Sequence, residues 1–186
     1  MIRDLHPLIL AGVVLAGAML SFSGCGPGGG SSAPAEGAET KTAPAFMLPD
    51  VRGEQVELAD FAGKVLLVDF WATWCAPCKE EIPMFKELHQ TYGEQGFVIV
   101  AISDENAEIV KEFVEAREIP YTSLVDPGEI SQLYGVVSLP TAFLVDGDGT
   151  IVEEFRGTKP RRILEAKIRE LLDLPHHVVD QLIGQP

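Results

Sequence analysis

The feature that most restricts this chain is the run Trp71-Ala72-Thr73-Trp74-Cys75-Ala76-Pro77-Cys78-Lys79, with two cysteines three residues apart between an apolar segment and a helical pattern. Val65-Leu66-Leu67-Val68-Asp69-Phe70 comes first and is apolar enough for a strand covered on both faces. Beyond the cysteines, Ile82, Phe85, Leu88 and Tyr92 recur near helical spacing and the pattern stops at Gly93. A helix beginning near Cys75 places both thiols on one face, one turn apart, close enough to form a disulfide. Cys75 then sits at a helix N-terminus, where unpaired N–H groups and the macrodipole stabilise an anion. This lowers a thiol pKa well below the free value of about 8.5 and makes Cys75 a nucleophile near neutral pH.

A CxxC has other uses, and the rest of the chain weighs against them. Structural zinc needs four ligands, but the third cysteine, Cys25, is far away, and His89, His176 and His177 fall in no ligand pattern. No metal and no cofactor beyond the cysteine pair is expected. Haem attachment needs His after the second Cys, where Lys79 stands. A structural disulfide this short restrains little chain. Redox exchange is left. With 186 residues, 46% of them apolar, and a net charge of −14, the chain suits one core-bearing domain with appendages and disfavours nucleic acid as a partner.

The N-terminal segment reads as an export signal. Arg3 precedes an apolar run from Leu8 to Leu20, shorter than the roughly 20 residues of a bilayer-spanning helix, and small residues follow. Phe22-Ser23-Gly24-Cys25 resembles the lipobox of bacterial lipoproteins, although Phe22 stands where Leu is usual and Asp4 is an acid in a region that is normally basic. This resemblance implies that Cys25 is acylated and that the domain lies outside the cytoplasm, anchored to a membrane. Gly26-Pro27-Gly28-Gly29-Gly30-Ser31-Ser32 and the Ala/Pro/Glu-rich stretch to Ala43 have too little apolar surface to offset the entropy of ordering and read as a tether. The expected division is therefore a signal over 1–24, a tether over 25–43, a domain over 44–175 and a tail over 176–186.

Within the domain, Phe46-Met47-Leu48 and Gln55-Val56-Glu57-Leu58 read as a short hairpin. Phe97 to Ile102 is a buried strand, and 106–117 a helix with an apolar stripe of Ile109, Val110, Phe113 and Val114. A short strand over 121–125 and a short helix over 130–134 follow. Strands over 141–145 and 150–155 are joined by Asp146-Gly147-Asp148-Gly149, a hairpin signal that lacks the later ligands of a calcium loop. Thr158-Lys159-Pro160 opens a last helix with a stripe of Ile163, Leu164, Ile168, Leu171 and Leu172. Alternating strands and helices followed by a hairpin predict a mixed sheet with helices on both faces.

From Phe46 to Leu172 the sequence resembles thioredoxin-like proteins. Val68-Asp69-Phe70-Trp71-Ala72-Thr73-Trp74-Cys75-Ala76-Pro77-Cys78-Lys79 is very specific to that fold, Pro83 matches the helix-kinking proline, and Leu139-Pro140-Thr141 matches the cis-proline loop. The tether, the run Cys78-Lys79-Glu80-Glu81-Ile82-Pro83 and the extra segment between Asp104 and Val137 look like the TlpA/ResA group of membrane-tethered extracytoplasmic thiol–disulfide oxidoreductases. The resemblance implies an α/β fold with a central mixed sheet, an N-terminal hairpin and an inserted helix-containing segment. It implies partners among disulfide-bearing exported proteins, apocytochrome c among them, and a membrane thiol as electron donor. Cys75 would attack a partner disulfide and Cys78, more buried, would resolve the mixed disulfide. Asp69 would take the Cys78 proton, and Glu81 would tune the thiols. Trp74, Ala76, Pro77, Leu139 and Pro140 would meet the partner, with Leu139 pairing its backbone and Trp71 shaping the same surface.

Two rivals are open. A thiol peroxidase of the peroxiredoxin type needs Thr three residues before its cysteine, where Ala72 stands. A non-catalytic binding or chaperone module on the same fold would tolerate loss of both cysteines.

Overall fold

A computed structural model describes residues 41–174 of the chain. The signal, Cys25 and the His176-His177 tail lie outside the described residues. A six-stranded mixed sheet runs in the order β1-β8-β7-β4-β5-β6. Its strands are β1 (Lys41–Thr42), β4 (Val65–Phe70), β5 (Phe97–Ser103), β6 (Thr122–Val125), β7 (Thr141–Val145) and β8 (Thr150–Arg156). β4, β5 and β6 are parallel, whereas β7 is antiparallel to β4 and β8 to β7. A separate hairpin pairs β2 (Met47–Pro49) with β3 (Gln55–Glu57). Four helices complete the fold: α1 (Ala76–Tyr92), α2 (Ala107–Ala116), α3 (Glu129–Leu133) and α4 (Arg161–Leu171).

Strand alternation divides the interior into two apolar layers. Val65, Leu67, Phe97, Ile99, Ala101, Ala142 and Leu144 face the layer holding α1, α2 and α4. Leu66, Val68, Phe70, Val100, Ile102, Phe143 and Val145 face the opposite layer, with Phe46, Leu48, Ile130 and Tyr134. The near-continuous apolar runs of β4 and β5 are the consequence of cover on both faces. Asp69 follows Leu67 at the strand period, so its carboxylate points into the α1 layer. The Asp146–Gly149 segment is the expected hairpin turn: Asp146 Oδ1 accepts from the N–H groups of Asp148 and Thr150, and Gly149 takes φ 83°.

Three expectations need correction. The tether does not reach Ala43: Lys41 and Thr42 pair with Ile151 and Thr150, and the Ala43 N–H donates to Gly149 O. The open edge of β8 accepts these residues despite their polar character. Ile109 and Ile163, assigned to buried stripes, are 51% and 44% exposed, because α2 and α4 bury narrower faces centred on Val110, Val114, Leu164 and Ile168. The last helix begins at Arg161 rather than at Thr158-Lys159-Pro160, and Lys159 lies before it, 4% exposed.

Candidate active site

The path from β4 into α1 builds the site. Trp71 N–H still donates to Ile102 O as if continuing the sheet, and Cys75 N–H closes a turn on Ala72 O. Cys75 then caps α1, its sulfur accepting the Cys78 N–H at 3.3 Å, with Pro77 at the start of the helix where a missing N–H costs nothing. Cys75 and Cys78 are joined in a disulfide. α1 continues through Pro83, which gives up the backbone bond to Lys79 O. The expected difference in burial between the cysteines is absent: both are 4% exposed. In the disulfide, the Cys75 sulfur is drawn over the helix terminus rather than out toward solvent.

Around them, Trp74 is 68% exposed and Ala76 and Pro77 are exposed, whereas Pro140 is buried and Leu139 half-buried. The Leu139–Pro140 peptide is cis. Trp74, Val137 and Leu139 with Asp104 line part of a cleft of about 270 Å³ beside the disulfide loop. Trp71 lines the same cleft as Trp74 but from below the surface. It is 4% exposed, with its ring centroid 5.3 Å from that of Phe113, so it packs the core.

Beneath the dithiol lies a cluster of buried charge. Asp69 is 3% exposed and Glu81, one helical turn past Cys78, is 5% exposed. Between them stands Lys159, whose sequence position marked only the start of a helix. Its Nζ is 2.9 Å from Asp69 Oδ1 and 2.9 Å from Glu81 Oε2, and its backbone N–H donates to Glu81 Oε1 at 2.6 Å. The contact to Asp69 is an ion pair off the direction of a hydrogen bond, whereas both contacts to Glu81 are directed. Burial pushes the Asp69 carboxyl up to about 6, opposed by Lys159 and reinforced by Glu81. Burial alone would depress the Lys159 ammonium, but the two carboxylates hold it above its ordinary range. One signal could have found it. An acid in the apolar strand at Asp69 calls for a cation, although the sequence does not show which of its 14 basic residues supplies it.

Residues 40–154 match the AhpC/TSA family. The chain belongs to the AhpC/TSA family. Among its relatives, the thiol-disulfide oxidoreductase ResA of Bacillus thuringiensis subsp. konkukian (strain 97-27) is 39% identical over 133 residues, covering 70% of this chain and 77% of that protein. The thiol:disulfide interchange protein of the thioredoxin family from Chlorobium tepidum TLS superposes with a TM-score of 0.68 at 26% identity, covering 73% of this chain and 99% of that one. The exposed lipoprotein thioredoxin of Streptococcus pneumoniae strain TIGR4 gives a TM-score of 0.62 at 26% identity, covering 69% and 100%. This AhpC/TSA member has the thioredoxin-like fold and is a thiol–disulfide oxidoreductase.

Proposed function

We propose that the protein works outside the cytoplasm, anchored by a lipid on Cys25, as a reductant of disulfides in exported proteins. The observation that carries the chemistry is a buried carboxyl, Asp69, in the core layer of a CxxC disulfide that caps α1. In the reduced enzyme, Cys75 thiolate attacks one sulfur of a partner disulfide. The partner's second sulfur leaves as a thiolate with the bonding electron pair. Asp69 then accepts the Cys78 proton, and the Cys78 thiolate attacks Cys75 Sγ. The Cys75–Cys78 bond forms as the Cys75–partner bond breaks, so two electrons have passed to the partner. A membrane thiol donor returns the enzyme to its dithiol form. Trp74, Ala76, Pro77 and the Leu139 backbone bind the partner chain beside Pro140.

Similarity to a thiol-disulfide oxidoreductase supports the disulfide chemistry, the TlpA/ResA-like sequence runs imply partners such as apocytochrome c, and similarity to a lipoprotein thioredoxin supports the anchor. Among the described residues no helix is long and apolar enough to cross a membrane. The test is a Cys78→Ser trap expressed in the native host. Mixed disulfides with apocytochrome c or proteins of haem attachment support that partner class. Capture of only unrelated exported proteins replaces it with general disulfide repair. Loss of membrane association in Cys25→Ser tests the anchor. A thiol peroxidase is disfavoured by Ala72, and rapid peroxide turnover by Cys75 in the Cys78→Ser variant would reinstate it.

A further inference from the structure

We propose that Lys159 is a positioning residue of the dithiol centre: bridging Asp69 and Glu81, its ammonium balances the buried carboxylates and leaves Asp69 as the carboxyl that exchanges a proton with Cys78. The inference rests on the reading of Asp69 as the proton acceptor and adds to it the group that makes that role possible.

The geometry divides the two acids. Glu81 receives two directed donors from one residue, the Lys159 backbone N–H on Oε1 and the ammonium on Oε2. Asp69 receives only the 2.9 Å ion contact at Oδ1, with no directed bond to that oxygen. Hydrogen bonds to an ionised carboxylate stabilise its charged form, so a proton added to the pair goes to the acid with fewer of them. That acid is Asp69.

The charge count leads to the same assignment. With both carboxylates ionised the buried trio carries −1, and with one protonated it carries zero. Accepting the Cys78 proton therefore takes the trio from −1 to zero. Without Lys159 it would begin at −2, a state that two adjacent buried carboxylates do not reach near neutral pH. Asp69 would keep its proton and could not act as a base. Tyr121, whose phenol interacts with Asp69 and Glu81, is held protonated far above its ordinary range, first by burial and then by those acids, and adds no charge. The cysteines of α1 share this layer with Tyr92, whose hydroxyl donates to Glu165, and His89 packs against the Tyr121 ring.

The local chain explains how Lys159 arrives. Pro160 follows it and caps α4, and a residue before proline is driven toward extended backbone. This keeps Lys159 out of the helix and directs it inward. Its side chain is fully buried, and the Phe85 ring centroid lies 5.5 Å from Nζ.

The experiment loads Cys75 with a chromogenic aromatic thiol as a mixed disulfide and follows its release by Cys78 in stopped flow from pH 5 to 9. Lys159→Met is expected to raise the midpoint of the pH–rate profile by at least about one unit and to slow release below that midpoint by about tenfold. Glu81→Gln, which leaves the ammonium to Asp69 alone, is expected to lower the midpoint. A folded Lys159→Met protein with an unmoved midpoint overturns the proposal, because a purely structural lysine changes stability without moving a titration. If Lys159→Met does not fold, Glu81→Gln decides, and a midpoint that fails to drop overturns it. Asp69→Asn separates the two levels. If that variant keeps the wild-type midpoint, the acceptor reading itself is lost. If the inflection disappears while Lys159→Met leaves it in place, only the role of Lys159 is lost. A 13C-NMR titration of the Asp69 carboxyl reads the same shifts without turnover.

Discussion

Glu105 grips Thr73 with both carboxylate oxygens: Oε2 accepts the Thr73 N–H at 2.6 Å and Oε1 accepts its hydroxyl at 2.7 Å. Ser103 supports the acid from β5, its hydroxyl donating to Oε2 at 3.2 Å. The loop leading to Cys75 is thus tied to the end of β5, 32 residues away in sequence. Glu105→Ala removes three charge-assisted bonds and is expected to cost about 2 kcal/mol in urea unfolding. Thr73→Val, which keeps the N–H bond, should cost less than Glu105→Ala. Equal losses would show that the hydroxyl alone carries the restraint.

Asp69 gives stability an unusual pH dependence. Its carboxyl rises from an ordinary 3.8 to about 6 on folding, so between those values the folded chain binds more protons than the unfolded chain. Stability therefore falls as pH rises through that window, and the full cost of the buried anion is present above it. At 1.36 kcal/mol per pH unit the cost is about 3 kcal/mol. Asp69→Asn is expected to be more stable than the parent at pH 7.5, with the difference closing below pH 4. Denaturant midpoints at the two pH values check it, and a difference that grows toward acid pH would contradict the buried-anion account.

Trp74 is 68% exposed at the rim of the cleft, so its ring contributes little to the core. Trp74→Ala is expected to change stability by no more than about 0.5 kcal/mol. It should raise KM several-fold for a protein disulfide while leaving exchange with a small aromatic disulfide unchanged. A matching loss with both substrates would assign Trp74 to the chemistry instead of to docking.

Tyr134 links α3 to the start of the domain. Its ring packs 5.1 Å from Phe143 and 5.3 Å from Phe70, and its hydroxyl donates to Pro44 O at 3.0 Å. Tyr134→Phe keeps the ring packing and loses one hydrogen bond, an expected loss of about 1 kcal/mol by thermal or urea unfolding. No loss would mean that water replaces the phenol at Pro44 O.

Elements with a strong local signature were legible in the sequence. β4, β5 and α1 carry patterns that survive without context, because a strand covered on both faces must be apolar throughout and Cys75 can cap a helix only where one begins. The short β1 was not legible. Two residues are too few to carry a strand pattern, and Lys41 and Thr42 pair because β8 presents an open edge. Ile109 and Ile163 misled for a related reason: apolar character at helical spacing marks a permitted face, and the width actually buried depends on the neighbouring elements.

The Trp71–Lys79 run, the buried acid at Asp69 and the order of strands and helices were determined by the sequence itself. Their physics is local: strand period, helix capping and the effect of a helix terminus on a thiol act within one or two turns of chain. Tertiary structure decided the charge state beneath the disulfide. Lys159 is 78 residues from Glu81 in sequence, and only the return of the chain from β8 into α4 brings it between the two acids. Which buried group stays charged depends on the partners that the folded chain supplies across the core.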